Sequence, residues 1–309
     1  MAEVAKNNPE IEKKEQFYRK LLSVIFSILG LAILGIVIYV SFVPKHTEVV
    51  IPAGTEVVAD RLYYNRADLA KISIADSVTK IDNWAFYGCE NVAEITIPAN
   101  VVEIGWGVFS GVKKVNVAKA NKVFEVDNSG ALYNKLTKTL VYCPPRLKGV
   151  YEVRPGTEKI ECYAFAFCSA LTEVKIPASV KEIGSGAFFS CAKLEKADFP
   201  AAVTVYKRSV FENCAALKAV NFSAAVTDIE YFAFRGCNAL KQINIPDNIR
   251  EIAVYAFDEC ENLKEVSLLK VKGVGKAGDI NKDKGVIVGH NAFSKEVKIL
   301  PRLVVPVEE

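Results

Sequence analysis

The sequence predicts a β-solenoid in which short parallel strands stack in 23-residue repeats, with one membrane-spanning α-helix before it. Three observations support this prediction. Five cysteines, from Cys168 to Cys260, recur every 23 residues. An Ala-Phe or Val-Phe pair precedes each of them at a constant distance. A segment near the N-terminus has no charged residue over a length that could span a bilayer.

The repeats can be counted from the recurring pairs, prolines and cysteines. Eight begin near residues 52, 75, 98, 154, 177, 200, 223 and 246, and a degenerate ninth contains Ala292-Phe293. After Cys168, the apolar residues Leu171, Val174 and Ile176 end in an alternating pattern that is typical of a short strand. Because one repeat cannot bury its apolar side alone, we expect the repeats to stack, with the phenylalanines in one core column.

Two insertions interrupt the array. The longer one, residues 118–153, contains the turn signal Asp127-Asn128-Ser129-Gly130 between two β-rich runs, and we expect a hairpin that projects from the solenoid. The shorter one, near 269–286, is rich in Gly and Lys and predicts a loop. The solenoid is expected over residues 47–309, with a C-terminal cap at 269–309.

Residues 21–43 predict the transmembrane helix. They read LLSVIFSILGLAILGIVIYVSFV, and a helix of that length covers a ~30 Å hydrocarbon core. The alternatives are a cleaved signal peptide, which has a shorter apolar run, and a buried core helix. Lys and Arg number five within residues 1–20 and two within residues 44–63. This bias favours a single-pass protein with a short cytoplasmic segment at 1–20, lipid contact through residues 21–43 and an extracytoplasmic solenoid.

The cysteine column has three interpretations. A metal site is disfavoured because no repeat contains a Cys-x-x-Cys motif, and His46 and His290 lie at opposite ends of the solenoid sequence. A disulfide ladder is geometrically awkward because stacked side chains point the same way. We therefore expect the column cysteines to be reduced and buried as small hydrophobic residues.

The composition also excludes several functions. A net charge of +3 is too small to indicate a nucleic-acid-binding face. The chain has two histidines, no Gly-rich phosphate loop and no recognisable pair of nucleophile and base. We therefore expect neither a catalytic, cofactor or metal site nor enzymatic activity.

Two outward-facing columns are candidate partner-binding surfaces. The first lies between the last two apolar residues of each strand and contributes Thr96, Asn116, Lys175, Asp198, Asn221 and Asn244. The second lies just before the Ala-Phe pair and contributes Trp84, Tyr163, Phe232 and Tyr255, with Trp106 and Tyr231 one position earlier. Aromatic residues are the usual anchors of protein interfaces. The alternative is that these rings only cover the turn side of the core.

The recurring motifs Ile-Pro-x-x-Val-x-x-Ile, Ala-Phe-x-x-Cys and Leu-x-x-Val-x-Ile resemble those of the BspA-like leucine-rich repeats. The resemblance covers roughly residues 47–268 and includes the run VDNSGALY at 126–133. It implies a leucine-rich-repeat solenoid at the surface of a bacterium or protist that binds host proteins, other cells or assembly partners. The long adhesins of that family carry more repeats and a wall-sorting motif, whereas this chain has the predicted membrane helix.

These features predict a membrane-anchored, extracytoplasmic protein-interaction scaffold that is a subunit of a membrane-proximal assembly. The proximity follows from residues 44–48, the only five between the apolar segment and the first repeat. Five residues reach at most about 18 Å. The alternative is a cell-surface adhesin for host or matrix protein or glycan, which would need a longer flexible stalk.

Overall fold

The computed structural model describes residues 48–268, 271–274, 286–289, 291–293 and 297–301. They form a β-solenoid of about ten turns with parallel stacked strands, which confirms the predicted solenoid. The predicted transmembrane helix at 21–43 lies outside these residues, as does much of the predicted C-terminal cap. Within the described ranges, no helix has the length and apolar character needed to cross a membrane.

Twenty-two short strands lie within the described residues. The first eleven are β1 (Glu48–Ile51), β2 (Val57–Val58), β3 (Lys71–Ile74), β4 (Lys80–Ile81), β5 (Ile95–Ile97), β6 (Glu103–Ile104), β7 (Val115–Val117), β8 (Phe124–Val126), β9 (Leu132–Asn134), β10 (Thr139–Tyr142) and β11 (Lys148–Glu152). The others are β12 (Lys159–Ile160), β13 (Ala170–Lys175), β14 (Glu182–Ile183), β15 (Val205–Tyr206), β16 (Asp228–Ile229), β17 (Gln242–Asn244), β18 (Glu251–Ile252), β19 (Glu265–Leu268), β20 (Val271–Val274), β21 (Val286–Val288) and β22 (Lys298–Pro301).

The strands lie on two sides of the solenoid. On the long-strand side, parallel pairs such as β1–β3 and β17–β19 join residues one repeat apart, so that Ile51 lies opposite Ile74. On the short-strand side, β2–β4–β6 and β15–β16–β18–β21 pair in the same way. The third side, which we call the turn side, consists of the turns that lead from each short strand to the cysteine, such as residues 82–89.

The core contains the predicted column of phenylalanine rings. Successive centroids are 4.9 Å apart from Phe165 to Phe188, 5.2 Å to Phe211, 5.5 Å to Phe234 and 5.0 Å to Phe257. All five side chains are buried. This spacing is close to the ~4.8 Å between neighbouring strands, so each repeat places one ring in the same position and the stack shares one apolar core.

The degenerate ninth repeat continues this column. Phe293 stacks on Phe257 with 5.0 Å between the ring centroids. The N–H of Phe257 donates a hydrogen bond to the carbonyl of Ala292. The Ala-Phe pair predicted from the sequence therefore occupies the expected place, although the residues around it depart from the repeat consensus.

The column cysteines are buried and free, as predicted. From Cys191 to Cys260, each of the four thiols donates a hydrogen bond to the main-chain carbonyl of the phenylalanine 26 residues earlier. The Sγ···O distances lie between 3.0 and 3.2 Å. The sulfur therefore acts as a polar link between neighbouring repeats as well as a small apolar side chain.

The insertion forms antiparallel strands, but the expectation that it projects from the solenoid is wrong. β8, β9 and β10 pair with one another, and β10 then pairs with β12 on the short-strand side, so all three are additional rungs of the stack. Leu132, Tyr133, Leu140 and Tyr142 are all buried. A projecting hairpin would expose these apolar side chains to water, whereas a place within the stack buries them on both faces.

Candidate functional site

The turn side repeats one backbone geometry in eight of the described turns. Each of these turns contains two residues with left-handed backbone four positions apart, for example Trp84 at φ 53° and Gly88 at φ 73°. The same two positions recur at residues 61 and 65, 84 and 88, 107 and 111, 163 and 167, 186 and 190, 209 and 213, 232 and 236, and 255 and 259. The pattern follows from the 23-residue period of the sequence.

The backbone geometry at the first left-handed position does not require an aromatic residue, yet several turns have one there. Two turns have glycine there, at Gly107 and Gly186. Four others have an aromatic residue: Trp84, Tyr163, Phe232 and Tyr255. A bulky side chain in this region is less favourable than glycine by about 1 kcal/mol or more. The backbone therefore gives no reason for the aromatic residues, and their side chains must be explained by their contacts.

Seven aromatic residues of the turn side form a connected group, which we call the aromatic cluster. Its members are Tyr64, Trp84, Tyr87, Trp106, Tyr163, Phe167 and Phe189. Trp84 packs edge-to-face on Trp106 with 4.2 Å between the ring centroids. Its ring also lies 6.3 Å from that of Tyr163. The fold therefore brings together three of the six predicted aromatic residues.

Two of the other three predicted aromatic residues form a second group in later repeats. Phe232 and Tyr255 stack nearly parallel with 5.5 Å between their centroids. The guanidinium of Arg235 lies over Phe232 at 5.5 Å. Tyr231 stands apart from this stack and is 49% exposed. No ring contact links this group to the aromatic cluster among the residues the structure describes.

The sequence reasoning missed four members of the cluster and one cation beside it. Tyr64, Tyr87 and Phe189 occupy the position after the Phe of the pair in their repeats, so the same 23-residue register could have revealed them. Phe167 occupies the second left-handed position. The Arg61 guanidinium lies 4.2 Å from the Trp84 ring centroid in a cation–π contact. Arg61 precedes Trp84 by 23 positions, so the same register could have revealed this contact too.

The polar column on the long-strand side is largely paired within itself. Asn221 donates a hydrogen bond from Nδ2 to Oδ1 of Asp198 at 2.9 Å. Lys175 forms an ion pair with Glu152 at 2.5 Å. Asn116 donates to the carboxylate of Glu94 at 3.0 Å, and the same oxygen pairs with Lys114. These contacts run along the stack and join one repeat to the next.

Two shallow grooves lie on the same long-strand side. One, of about 450 Å³, has Thr96 in its lining. The other, of about 500 Å³, is lined by Asn221, Asn244, Phe222 and Pro246, among others. The predicted polar residues therefore border grooves, but the grooves are open and most of the charged groups nearby already have partners within the solenoid.

Charges on the short-strand side are also satisfied along the stack. Hydrogen bonds from Lys138 and Lys181 lower the pKa of Glu158 to about 2. Lys80 pairs with Glu103 at 2.8 Å in the same manner. Because alternating charges in successive repeats neutralise one another, neither strand side offers a large field of one sign to a partner.

The cysteine thiols whose pKa is strongly raised are buried. Burial raises the pKa of Cys89 to about 11 and of Cys260 to about 12, so both thiols stay protonated at neutral pH. A protonated, buried thiol is a poor nucleophile. Apolar contact with a partner is available from exposed rings of the aromatic cluster, such as that of Trp106.

Three solved structures are similar to this chain. A leucine rich cell surface protein from Faecalibacterium prausnitzii has 31% sequence identity and a TM-score of 0.67 over 73% of this chain and 60% of that one. This chain therefore spans 60% of the length of the Faecalibacterium protein. The pneumococcal vaccine antigen PcpA has 22% identity and a TM-score of 0.68, over 83% of this chain and 68% of its own. A leucine-rich repeat protein from Eubacterium ventriosum has 19% identity and a TM-score of 0.56, over 85% of each chain.

The similarities to PcpA and to the Eubacterium protein show the fold alone. Membership of a family is shown by a match to a family model. Comparison with curated proteins gives no match. The model of the BspA type leucine rich repeat region matches residues 42–152 and 151–264, with six copies. These ranges include the Ala-Phe pairs, the cysteine column and the insertion on which the resemblance of the sequence rested. The chain therefore belongs to the family of BspA type leucine-rich repeat proteins.

Proposed function

We propose that this chain is a membrane-anchored, extracytoplasmic scaffold that binds protein partners through the aromatic cluster on its turn side. The observation that carries the proposal is the presence of aromatic side chains at left-handed positions where the same chain elsewhere uses glycine. Trp84 and Tyr163 hold such positions within the cluster, and Trp106 beside them is 36% exposed. Strain of this kind is often kept where a side chain serves a binding function.

The pairing of charges supports the turn side over the two strand sides. Lysine and glutamate residues on the strand sides pair with each other from one repeat to the next, as Lys196 does with Glu173 and Lys218 with Glu195. A partner that docked there would have to displace these contacts and dehydrate the charges. The aromatic cluster has no such contacts to break, and rings of this kind are frequent hot spots of protein interfaces.

The ring geometry supports a protein partner over a glycan. Six of the seven ring pairs in the cluster cross at 62–86°. In such edge-to-face contacts the edge of one ring covers part of the face of the next. A sugar ring needs an open aromatic face to stack on, whereas apolar side chains can fill the gaps between crossed rings.

Attachment to the membrane rests on the sequence of residues 21–43 and on the Lys/Arg bias around them. We propose that the solenoid lies outside the cytoplasm and that the first repeat sits close to the lipid headgroups. Protease added to intact cells, or to spheroplasts if there is an outer membrane, should then digest the solenoid. Full protection in both preparations would refute this orientation.

The alternative is a surface adhesin that binds host or matrix protein or glycan. It is favoured by the Faecalibacterium relative, which is described as a cell surface protein. A flexible linker of about 20 residues inserted after Pro44 separates the two proposals. A membrane-proximal scaffold should lose its partner when the solenoid is moved away from the membrane, whereas an adhesin should bind as well or better.

Photo-cross-linking in intact cells tests the partner surface itself. The photoreactive residue p-benzoylphenylalanine at position 106 should give a discrete cross-linked adduct, and at position 196 on the strand side it should give none. Trp84→Gly and Tyr163→Gly should abolish the adduct, since glycine fits the left-handed backbone and the fold should persist. Tyr255→Gly is the matched control and should leave the adduct intact. An undiminished adduct in the first two variants would contradict the proposal.

A further inference from the structure

The hydrogen-bonded stack is interrupted at the insertion. Among the described residues, no main-chain to main-chain hydrogen bond joins residues 48–121 to residues 122–301. The sheets β1–β3, β2–β4–β6 and β5–β7 lie entirely before this boundary, and the other four lie entirely after it. We call the boundary the seam.

The turn side shows the interruption most clearly. In the step before the seam, the N–H groups of Trp84, Phe86 and Gly88 all donate to carbonyls of the next turn. Three equivalent bonds join the turn of Tyr163 to the one that follows it. At the seam itself, residues 107, 109 and 111 make none of these bonds within the described part of the chain. A side-chain bond crosses instead, from Oγ of Ser110 to the carbonyl of Tyr163 at 3.3 Å.

The apolar core is divided one layer beyond the seam, at the insertion itself. One core cluster fills residues 51–123 and is closed by Phe124, Leu132 and Tyr142 from the insertion. A second core cluster runs from residue 131 to residue 292. Leu132 belongs to the first cluster and its neighbour Tyr133 to the second, because adjacent residues of a strand point to opposite faces. The insertion is therefore a partition between two cores.

The aromatic cluster spans the seam. Trp84 and Tyr87 lie on one side of it, and both contact Tyr163 on the other side at 6.3 Å between ring centroids. Tyr87 also contacts Phe167 at 5.7 Å. Gly107 lies beneath these rings, and a Cβ there would be 2.6 Å from Cδ1 of Trp84. The absence of a side chain at residue 107 therefore allows the rings to close over the seam.

We propose that the seam is a hinge between two rigid blocks, residues 48–121 and 122–301, and that the aromatic cluster is the contact that closes it on the turn side. Side-chain packing and side-chain hydrogen bonds, such as that from Oη of Tyr142 to the carbonyl of Val112 at 2.6 Å, join the blocks. Within each block, main-chain hydrogen bonds run from one turn to the next. A joint of this kind can open without breaking secondary structure, as in other hinge motions between packed elements. Opening would move Trp84 and Trp106 away from Tyr163. The hinge thereby controls whether the proposed partner surface is assembled. This consequence rests on the proposed function, whereas the hinge itself does not.

Distance measurements by double electron–electron resonance test the hinge in the full chain. Leu62 and Arg208, which are both exposed on the turn side, are replaced by genetically encoded non-natural residues that carry spin labels. The distance between these two labels is measured across the seam. Tyr163→Gly and Trp84→Gly remove the closing contact from either side, at φ values of 61° and 53° that glycine tolerates. We expect each variant to add a population with a longer distance between the labels.

The matched control is Tyr255→Gly, which has the same left-handed backbone at φ 60° but lies within one block. Its distance distribution should equal that of the wild type. Unchanged distributions in both Tyr163→Gly and Trp84→Gly would overturn the hinge. An equal change in the control would overturn it too, because the effect would then come from general loosening. These readouts need no partner, so they can fail or succeed independently of the proposed function.

Discussion

Removal of one ring from the core column is the sharpest test of how the solenoid is held together. Phe211 is fully buried, and its ring centroid lies 5.2 Å from that of Phe188, 5.1 Å from Phe199 and 5.5 Å from Phe234. Phe211→Ala removes the ring contacts with both neighbouring repeats at once. The backbone of its turn is hydrogen-bonded on both sides, so it cannot collapse readily into the space left.

The expected magnitude follows from area and cavity arguments. A buried aromatic side chain removes about 150–250 Å² from water, which at about 25 cal/mol per Å² corresponds to roughly 4–6 kcal/mol. Alanine retains about 0.8 kcal/mol of this through its methyl group. We therefore expect Phe211→Ala to lower the free energy of unfolding by about 3–5 kcal/mol, the range measured for such substitutions in cores.

Urea unfolding followed by circular dichroism measures this difference, with two controls from neighbouring repeats. Tyr231→Ala removes an aromatic ring that is 49% exposed and should lower the free energy of unfolding by less than about 1 kcal/mol. Asn221→Ala removes one exposed hydrogen bond to Asp198 and should have an effect of about 0.5 kcal/mol. If all three variants unfold at the same urea concentration, the assignment of inward and outward positions is wrong.

Three further predictions concern the thiols, the insertion and the turns. Alkylation of native protein at pH 8 should spare the column cysteines, because they are buried and burial raises the pKa of Cys260, for example, to about 12. Denaturation without reductant should expose all eight thiols in the chain. Asp127→Asn should lower stability at pH 7 by about 1–2 kcal/mol. Burial opposes the charged form of Asp127, but hydrogen bonds to its carboxylate outweigh burial and lower the pKa, so the difference from wild type should hold at neutral pH and shrink as pH falls through this lowered pKa. Gly186→Ala should be more destabilising than Gly54→Ala in thermal unfolding, because a Cβ at 186 would lie 2.5 Å from the ring of Tyr163, whereas none of the atoms around Gly54 comes within 4 Å of such a Cβ. Equal decreases in melting temperature would mean that only the left-handed backbone, which both glycines share, determines the cost.

The repeat architecture was predictable because its signal is redundant. Each inward position is stated many times over in the sequence, so a single departure such as Ser223 in the proline column does not hide the period. The phenylalanine column and the buried cysteines followed directly from this register. The parallel pairing of the strands followed from the stacking that the repeats require.

The insertion was harder to predict because it occurs once. Its turn signal correctly indicated antiparallel strands, but the run from Leu132 to Leu140 does not say whether a hairpin projects or lies within a stack. Whether the hairpin projects depends on how much apolar area the neighbouring repeats offer for it to pack against. This area is a property of the tertiary structure and not of the local sequence. The seam depends on the same packing, since it results from which main-chain groups the insertion leaves unpaired.

The candidate surface was predicted in part. The register identified Trp84, Trp106 and Tyr163 as outward aromatic residues, and the fold places them together. Their grouping across the insertion could not be read from the sequence, since Tyr163 follows Trp106 by 57 positions rather than 23. The binding roles of both candidate columns, including Thr96 and Asn244, remain predictions for the experiments above.

The left-handed turn positions have a consequence for how such a protein can change over evolutionary time. Within this one chain the first of them accepts Arg61, Trp84, Gly107, Ser209 and Tyr255 with nearly the same backbone. Apart from Gly107 and Gly186, where a Cβ would meet a neighbouring ring, residues at these sites can therefore be exchanged without altering the inward phenylalanine two positions away or the thiol three positions beyond it. In a solenoid of this design, the residues that maintain the fold are different from the residues that are exposed for binding. New binding specificities could then arise by substitution at one site per turn, and a library randomised at these positions alone should yield mostly folded members.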